Sequence, residues 1–193
     1  MTIEIFLVSF VSYISGSIPF GLILSKFFLN QDIRKIGSKN IGATNVLRTG
    51  SKFFAFLTLC LDIFKGVAPI ILTKYYFPNL IYLSGLMAFL GHIFPIWLKF
   101  KGGKGIATFL GIVFALSFKL GLLFCLSWTI IAFLTKYSSL SSIISTLIIF
   151  LISLLDENFE LNSFLFIIFV IVLYTHKLNI VRLKNKTEDK IKL

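Results

Sequence analysis

Six apolar runs of roughly bilayer length, separated by connectors that hold most of the charge, constrain this chain more than any other feature. A helix crosses the hydrocarbon layer with about 20 apolar residues. The runs are Ile3 to Phe28, Phe53 to Thr73, Leu80 to Leu98, Ile106 to Leu134, Ser139 to Leu155 and Leu161 to about Thr175. The fourth has 29 residues, too many for one upright helix and few for two, and Lys119 interrupts it. Two short or tilted helices meeting near Lys119 are therefore predicted. The expected fold is an all-α membrane protein with about seven transmembrane helices, or five full spans plus a re-entrant pair, forming a single domain over 1–193. The first run has no basic segment before it and Glu4 near its start, so it reads as a retained span and not as a cleaved leader.

Charged residues make up 14% of the chain and hydrophobic ones 57%, against about 25% charged in a soluble domain. That excludes disorder, which requires low hydrophobicity, and leaves too few polar side chains to cover a soluble core. Cys60 and Cys125 lie in apolar runs and read as small buried hydrophobes.

Charge sets the orientation, because basic residues collect on the cytoplasmic side. With the N-terminus outside, 16 of the 19 Lys and Arg fall inside: Lys26, Arg34, Lys35, Lys39, Arg48, Lys52, Lys99, Lys101, Lys104, Lys136, Lys177, Arg182, Lys184, Lys186, Lys190 and Lys192. Lys65 is within a span, Lys74 and Lys119 fall outside, and the outer connector with Asp156, Glu157 and Glu160 is acidic. The C-terminus is then cytoplasmic. Topology accounts for the net charge of +11, so no nucleic-acid partner is expected.

The inner connectors are not simple spacers. Residues 30–52 carry Gly37, Gly42 and Gly50 (with Gly66 just beyond) among Ser38, Asn40, Thr44, Asn45 and Arg48. Glycines let backbone N–H groups turn toward an anion, and Arg48 can fork two donors onto a phosphate; the alternative is a solvated basic loop. Lys99-Phe100-Lys101-Gly102-Gly103-Lys104-Gly105 precedes a helix bearing Thr108. Glycines before a helix start suit an anion, because the first amides are unpaired, although the pattern is not a Walker A motif. The serines of Lys136 to Ser142 serve either phosphate oxygens or helix capping. In the tail, His176, Asn179 and Arg182 share roughly one helical face, which serves either a site or attraction to anionic lipid.

Within the spans, Asp62 and Lys65 stand three residues apart, an expensive arrangement that points to a site or to a lock between helices. His92, between Gly91 and Pro95, reads as a hydrogen-bonded packing residue. No H-E-x-x-H, Cys/His cluster or G-x-S-x-G occurs, so neither a metal nor a cofactor is implied. The H-x4-D acyltransferase pair is also missing: Trp97 and Val181 stand where its carboxylate belongs.

Together these segments resemble the bacterial acyl-phosphate:glycerol-3-phosphate acyltransferase family over nearly the whole chain. The resemblance runs through Gly16 to Gly21, Asp32 to Arg48, Asp62 to Gly66, Gly91 to Pro95, Phe100 to Thr108, Tyr137 to Ser142 and His176 to Glu188. It implies transfer of a fatty acyl group from acyl phosphate to the sn-1 hydroxyl of glycerol 3-phosphate, giving lysophosphatidic acid and phosphate, the first step of phospholipid synthesis. It also implies seven helices in the bacterial cytoplasmic membrane, a cytoplasm-facing site, and a donor supplied by a soluble acyl-ACP:phosphate acyltransferase. By the same resemblance Ser38, Arg48, Lys104, His176, Asn179 and Glu188 are the catalytic candidates. Asn40, Gly42, Thr44, Asn45, Lys101, Gly102, Gly103, Gly105, Thr108, Ser142 and Arg182 are the substrate-binding ones.

Three positions depart from the family pattern. Lys39 replaces the second glycine of Gly-Ser-Gly-Asn, Lys177 replaces an arginine after His176, and Lys186 replaces the glycine of Gly-Thr-Glu. With no evident protein nucleophile, direct acyl transfer is expected. The base is either His176 or the substrate's own phosphate. The competing class is a transporter of a phosphorylated solute; it predicts matched polar groups in two halves, which the sequence does not display.

Overall fold

The computed structural model describes residues 1–191 and, among them, is all-helical. Lys192, counted above with the inner-side basic residues, lies outside the described residues. The chain forms two compact units, Met1–Leu116 and Ser117 onward.

The first unit holds α1 (Thr2–Ser17), α2 (Phe20–Leu29), a short α3 (Ala43–Leu47), α4 (Lys52–Tyr76), α5 (Ile81–Ile93) and α6 (Ile106–Leu116). The first expected span is broken, because Pro19 has no N–H to continue α1 and Ile18 is extended. The second runs to Tyr76, three residues past the expected end. The third shortens to α5, with a 3₁₀ turn on each side and Pro95 after its end.

Small residues let these helices approach closely, as in membrane bundles generally. A Cβ at Gly16 would strike the carbonyl of Ala88, and one at Gly91 the carbonyl of Tyr13, which seats α1 on α5. Ser12 and Ser84 then share a hydrogen bond of 2.9 Å across that seam. Gly66 and Gly111 do the same for α4 and α6, against Thr108 and Ile63.

The second unit holds α7 (Phe118–Thr135), α8 (Ser138–Ser153), α9 (Phe159–Thr175) and α10 (Lys177–Lys184). The break expected near Lys119 falls at Ser117, whose hydroxyl caps α7 by accepting from Leu120 N–H at 3.4 Å. A Ser side chain offers the orphan amides of a helix start a partner that a Lys cannot. Of the two helices expected to be short, only α6, with 11 residues, is; α7 has 18. Asn158 caps α9 in the same way, accepting from Leu161 N–H at 3.0 Å.

Among the described residues, four helical segments are long and apolar enough to cross a membrane: Thr2–Leu29, Lys52–Tyr76, Pro78–Leu98 and Phe118–Thr135. A fifth forms if α9 and α10, bent by 61° at His176, count as one. The two shorter apolar helices are α6 and α8. Large apolar side chains such as Phe6, Phe56, Phe64, Phe133 and Leu155 point outward, the surface expected of a protein solvated by lipid.

Candidate functional site

Residues 30–51 are folded, not loose. Ile33, Ile41 and Val46 pack with Leu22 of α2 and Ala55 of α4 into a buried apolar cluster. Asp32 caps the 3₁₀ turn Ile33–Lys35 and pairs with Arg34 at 2.6 Å. That guanidinium, through its hydrogen bonds, holds the Asp32 carboxyl far below the usual carboxylate range.

Asn45 organises the segment. It is 2% exposed. Its Nδ2 lies 2.8 Å from Ile33 O, 3.1 Å from Ile36 O and 2.7 Å from Asn40 O, and its Oδ1 accepts from Ser38 N–H at 3.1 Å. The carboxamide thus meets Asn40 O and Ser38 N–H, which have no backbone partner among the described residues, and adds a second donor to the carbonyls of Ile33 and Ile36, which already accept from Ile36 and Lys39 N–H. Its position is that of a pin, with Ser38 and Arg48 exposed on the loop it holds. The Arg48 side chain lies over Gly37, whose φ is +50°. Asn40 accepts from Gly42 N–H at 3.3 Å, and Thr44 is exposed on α3.

The glycine-rich segment before α6 differs from its sequence reading. Gly102 N–H donates to Ile93 O at 3.0 Å and Gly103 N–H to His92 O at 3.1 Å. These amides therefore close the C-terminal end of α5 and do not present themselves as an anion cradle. The glycines are needed for space: a Cβ at Gly102 would strike His92 O, and one at Gly103 the His92 ring. Gly105 has φ +82° and presses on the Phe89 ring. Lys104 stands between those two anchored glycines, half-buried, while Lys101 is exposed. Thr108 is 0% exposed, packed where α6 meets Gly66.

In the second unit, His176 sits at the bend between α9 and α10 and is 1% exposed. Its Nδ1 is 2.9 Å from Val172 O. A carbonyl only accepts, so Nδ1 carries the hydrogen, and the ring's basic position is Nε2. Three residues later, Asn179 faces Glu188. One carboxylate oxygen of Glu188 accepts from Asn179 Nδ2 at 2.6 Å and from Ser139 Oγ at 2.7 Å; the other accepts from Arg182 Nε at 2.7 Å. Partial burial works against the charged form, but the hydrogen bonds from Ser139, Arg182 and Asn179 outweigh it, and the Glu188 pKa falls below its ordinary value. This geometry is a clamp that ties the tail to the start of α8. Ile191 N–H extends it, donating to Lys136 O at 2.8 Å.

The sequence reading missed Ser139 as the third partner of this clamp. Ser142 is instead buried, accepting from Trp128 Nε1 at 3.1 Å and donating to Ser138 O at 2.8 Å. Its serine neighbours likewise bond back into α8: Ser141 donates to Tyr137 O at 2.8 Å.

Lys39 and Lys186, the two lysines that replace family glycines, both adopt left-handed backbone, with φ +59° and +58°. The conformation for which the family uses glycine is kept here without it.

The fold, with apolar side chains facing outward and basic, polar connectors, is that of a polytopic helical membrane protein. The model of the family described as "Glycerol-3-phosphate acyltransferase" matches residues 6–186. The chain belongs to that family and is an acyltransferase acting on glycerol 3-phosphate. A glycerol-3-phosphate acyltransferase of Pelagibacter ubique is 53% identical over 191 residues, covering 98% of this chain and 99% of that one. Its namesake in Brucella anthropi is 47% identical over 180 residues, covering 93% and 89%. Among solved structures, the crystal structure of PlsY, an integral membrane glycerol 3-phosphate acyltransferase, in its glycerol 3-phosphate form superposes with a TM-score of 0.93 at 34% identity, covering 97% of this chain and 96% of that one. The lysophosphatidic acid form of the same enzyme gives 0.90.

Proposed function

We propose that the acyl donor is an acyl phosphate and that the products are 1-acyl-glycerol 3-phosphate and inorganic phosphate. The observation that carries this reading is the pinned loop 30–51, with Ser38 and Arg48 exposed on a backbone that Asn45 holds rigid. Acyl phosphate and glycerol 3-phosphate are both anionic, so catalysis must first hold two phosphates near each other. Cations and hydroxyls on a preorganised backbone do this without reorganisation during the reaction. Arg48, Ser38 and Lys104 are assigned to the phosphates, with Asn40, Thr44, Gly42 and Lys101 beside them.

The sn-1 oxygen attacks the acyl carbonyl carbon, the new ester C–O bond forms, and the bond from that carbon to the phosphate oxygen breaks. The hydroxyl proton passes to His176 Nε2 or to the departing phosphate. No acyl-enzyme is involved. Asn179, Arg182 and Glu188 are assigned to the tail clamp, and the acyl chain to the lipid-facing grooves between helices.

The family model runs through both units, and on that ground the whole chain is taken as one catalytic domain. Counting α6 and α8 as crossings gives seven. The N-terminus is then outside and the C-terminus cytoplasmic, in a bacterial cytoplasmic membrane. The distribution of Lys and Arg supports that orientation, and with it a cytoplasm-facing site fed by a soluble acyl-ACP:phosphate acyltransferase. The family match over residues 6–186 argues against the transporter reading.

The test is metal-free purified enzyme with palmitoyl phosphate and glycerol 3-phosphate, following phosphate release. Release should need both substrates, and kcat/KM should fall about 10²–10³-fold in Arg48→Ala and Lys104→Ala. No release, with palmitoyl-CoA equally inert, would refute the reading. In His176→Ala, loss of a limb near the His pKa assigns the proton to the ring; an unchanged profile assigns it to phosphate.

A further inference from the structure

The first unit contains a buried polar ladder that the proposed chemistry does not use. Asp62 and Lys65 of α4 and His92 of α5 are 2%, 2% and 4% exposed. Lys65 Nζ is 2.8 Å from Asp62 Oδ1 and donates to Ile18 O at 2.7 Å, at the break between α1 and α2. Its backbone carbonyl accepts from Ser15 Oγ at 3.3 Å. His92 Nδ1 faces the same oxygen, 3.9 Å from Asp62 Oδ1 and beyond hydrogen-bond distance. Charged groups at such depth are costly and are kept where position matters.

The far end of the ladder is the glycine-rich segment. The three atoms nearest to a Cβ built at Gly103 all belong to the His92 ring: Nε2, Cδ2 and Cε1. The backbone of His92 also accepts the Gly103 N–H. Gly103 is thus seated edge-on against Nε2 of the ring, one residue before Lys104. Its φ is outside the left-handed region, so alanine is barred there by the ring and not by the backbone.

We propose that His92 is a positioning residue for glycerol 3-phosphate binding. Its ring, which lies 3.9 Å from the Asp62 carboxylate, is the stop against which Gly103 seats, and that seat sets where Lys104 stands. This rests on the reading of Lys104 as a phosphate-binding cation. A cation displaced by about 1 Å loses much of its value to a bound phosphate, while the chemistry on the acyl group is untouched.

The experiment compares four proteins besides wild type: Gly103→Ala, His92→Ala, the double variant His92→Ala/Gly103→Ala, and Lys104→Ala. Each is measured for its Kd for glycerol 3-phosphate by calorimetry and for KM of both substrates and kcat. Gly103→Ala should raise Kd and KM for glycerol 3-phosphate about tenfold, with KM for palmitoyl phosphate and kcat within about twofold of wild type. Removing the ring makes room for the added methyl, so the double variant should bind glycerol 3-phosphate more tightly than Gly103→Ala alone, in the range of His92→Ala. Such rescue is a sign that the two sites couple directly.

A double variant as weak as Gly103→Ala, or weaker, overturns the proposal, as does a Gly103→Ala protein that binds normally. Unchanged binding in Lys104→Ala refutes the reading of Lys104, and the inference with it; a weakened Lys104→Ala beside an absent rescue refutes the inference alone. Should His92→Ala fail to accumulate in membranes, His92→Asn, which keeps a smaller polar group in the pocket, replaces it in the same pairing.

Discussion

Two segments of this enzyme are each held in shape by one side chain, and the two side chains use opposite physics. In residues 30–51 the holder is Asn45, neutral, 2% exposed, and bonded only to backbone. In the tail it is Glu188, charged, with partners on three side chains, one of them an Arg182 side chain that is 39% exposed. A neutral pin adds no charge beside an anionic substrate and is insensitive to salt and pH. An ionic clamp is tied to both. The comparison teaches that the loop proposed to meet phosphate is organised without a carboxylate at its hub, whereas the tail carries one.

The largest effect on this contrast should come from Asn45→Ala. It leaves Ser38 N–H and Asn40 O without their partner, while the carbonyls of Ile33 and Ile36 keep their backbone donors, at a cost of about 3 kcal/mol. The loss should be the same from pH 5 to 8 and at low or high salt, as measured by thermal unfolding in detergent. A strong pH dependence of that loss would erase the distinction between the two segments.

Glu188→Ala should cost less, about 2 kcal/mol, because the Arg182 partner is half exposed and its pairing is screened. Here pH matters. The folded-state pKa lies below the ordinary value of 4.5, so the stabilisation is complete above that value and is lost as pH falls through the lowered folded-state value. The melting midpoint of the wild type should therefore drop on acidification, and Glu188→Gln should flatten that drop. An equal acid response in both proteins removes Glu188 from the clamp.

The smallest change is a gain. Lys39 and Lys186 sit beside the two organised segments in left-handed backbone, which a side chain adopts at a cost of about 1 kcal/mol relative to glycine. Lys39→Gly and Lys186→Gly should each raise stability by up to that amount. Circular-dichroism melts of the two variants check it, and a lower midpoint in either contradicts the strain account at that position.

Some of this was legible before any coordinates. Apolar length predicts the spans, and the interruption of 106–134 predicts a break. The break falls at Ser117 and not at Lys119 because capping chemistry is more local than charge. Pro19 was visible too, but whether it ends a span or merely bends one depends on the neighbours that donate to the carbonyls it frees, such as Lys65 on Ile18 O. The families of polar residues in 30–48, 99–108 and 176–188 were all identifiable by type and spacing, yet their division of labour was not. Asn45 and Ser38 look alike as small polar residues in a glycine-rich stretch; only the carbonyls gathered under the loop separate the pin from the presented group. Ser139 and Ser142 look alike in the same way, and only the returning tail picks Ser139.

The sequence by itself determined the solvent, the helical class, the charge asymmetry and the chemical type of the site, because each follows from hydrophobic length, residue type or charge counted along the chain. Tertiary structure alone decided which glycines make room for a neighbour. It likewise decided which polar side chains are presented and which are consumed by backbone. Gly103 shows why: its role depends on a His92 ring eleven residues away along the chain and in contact in space, and no local pattern encodes such a contact.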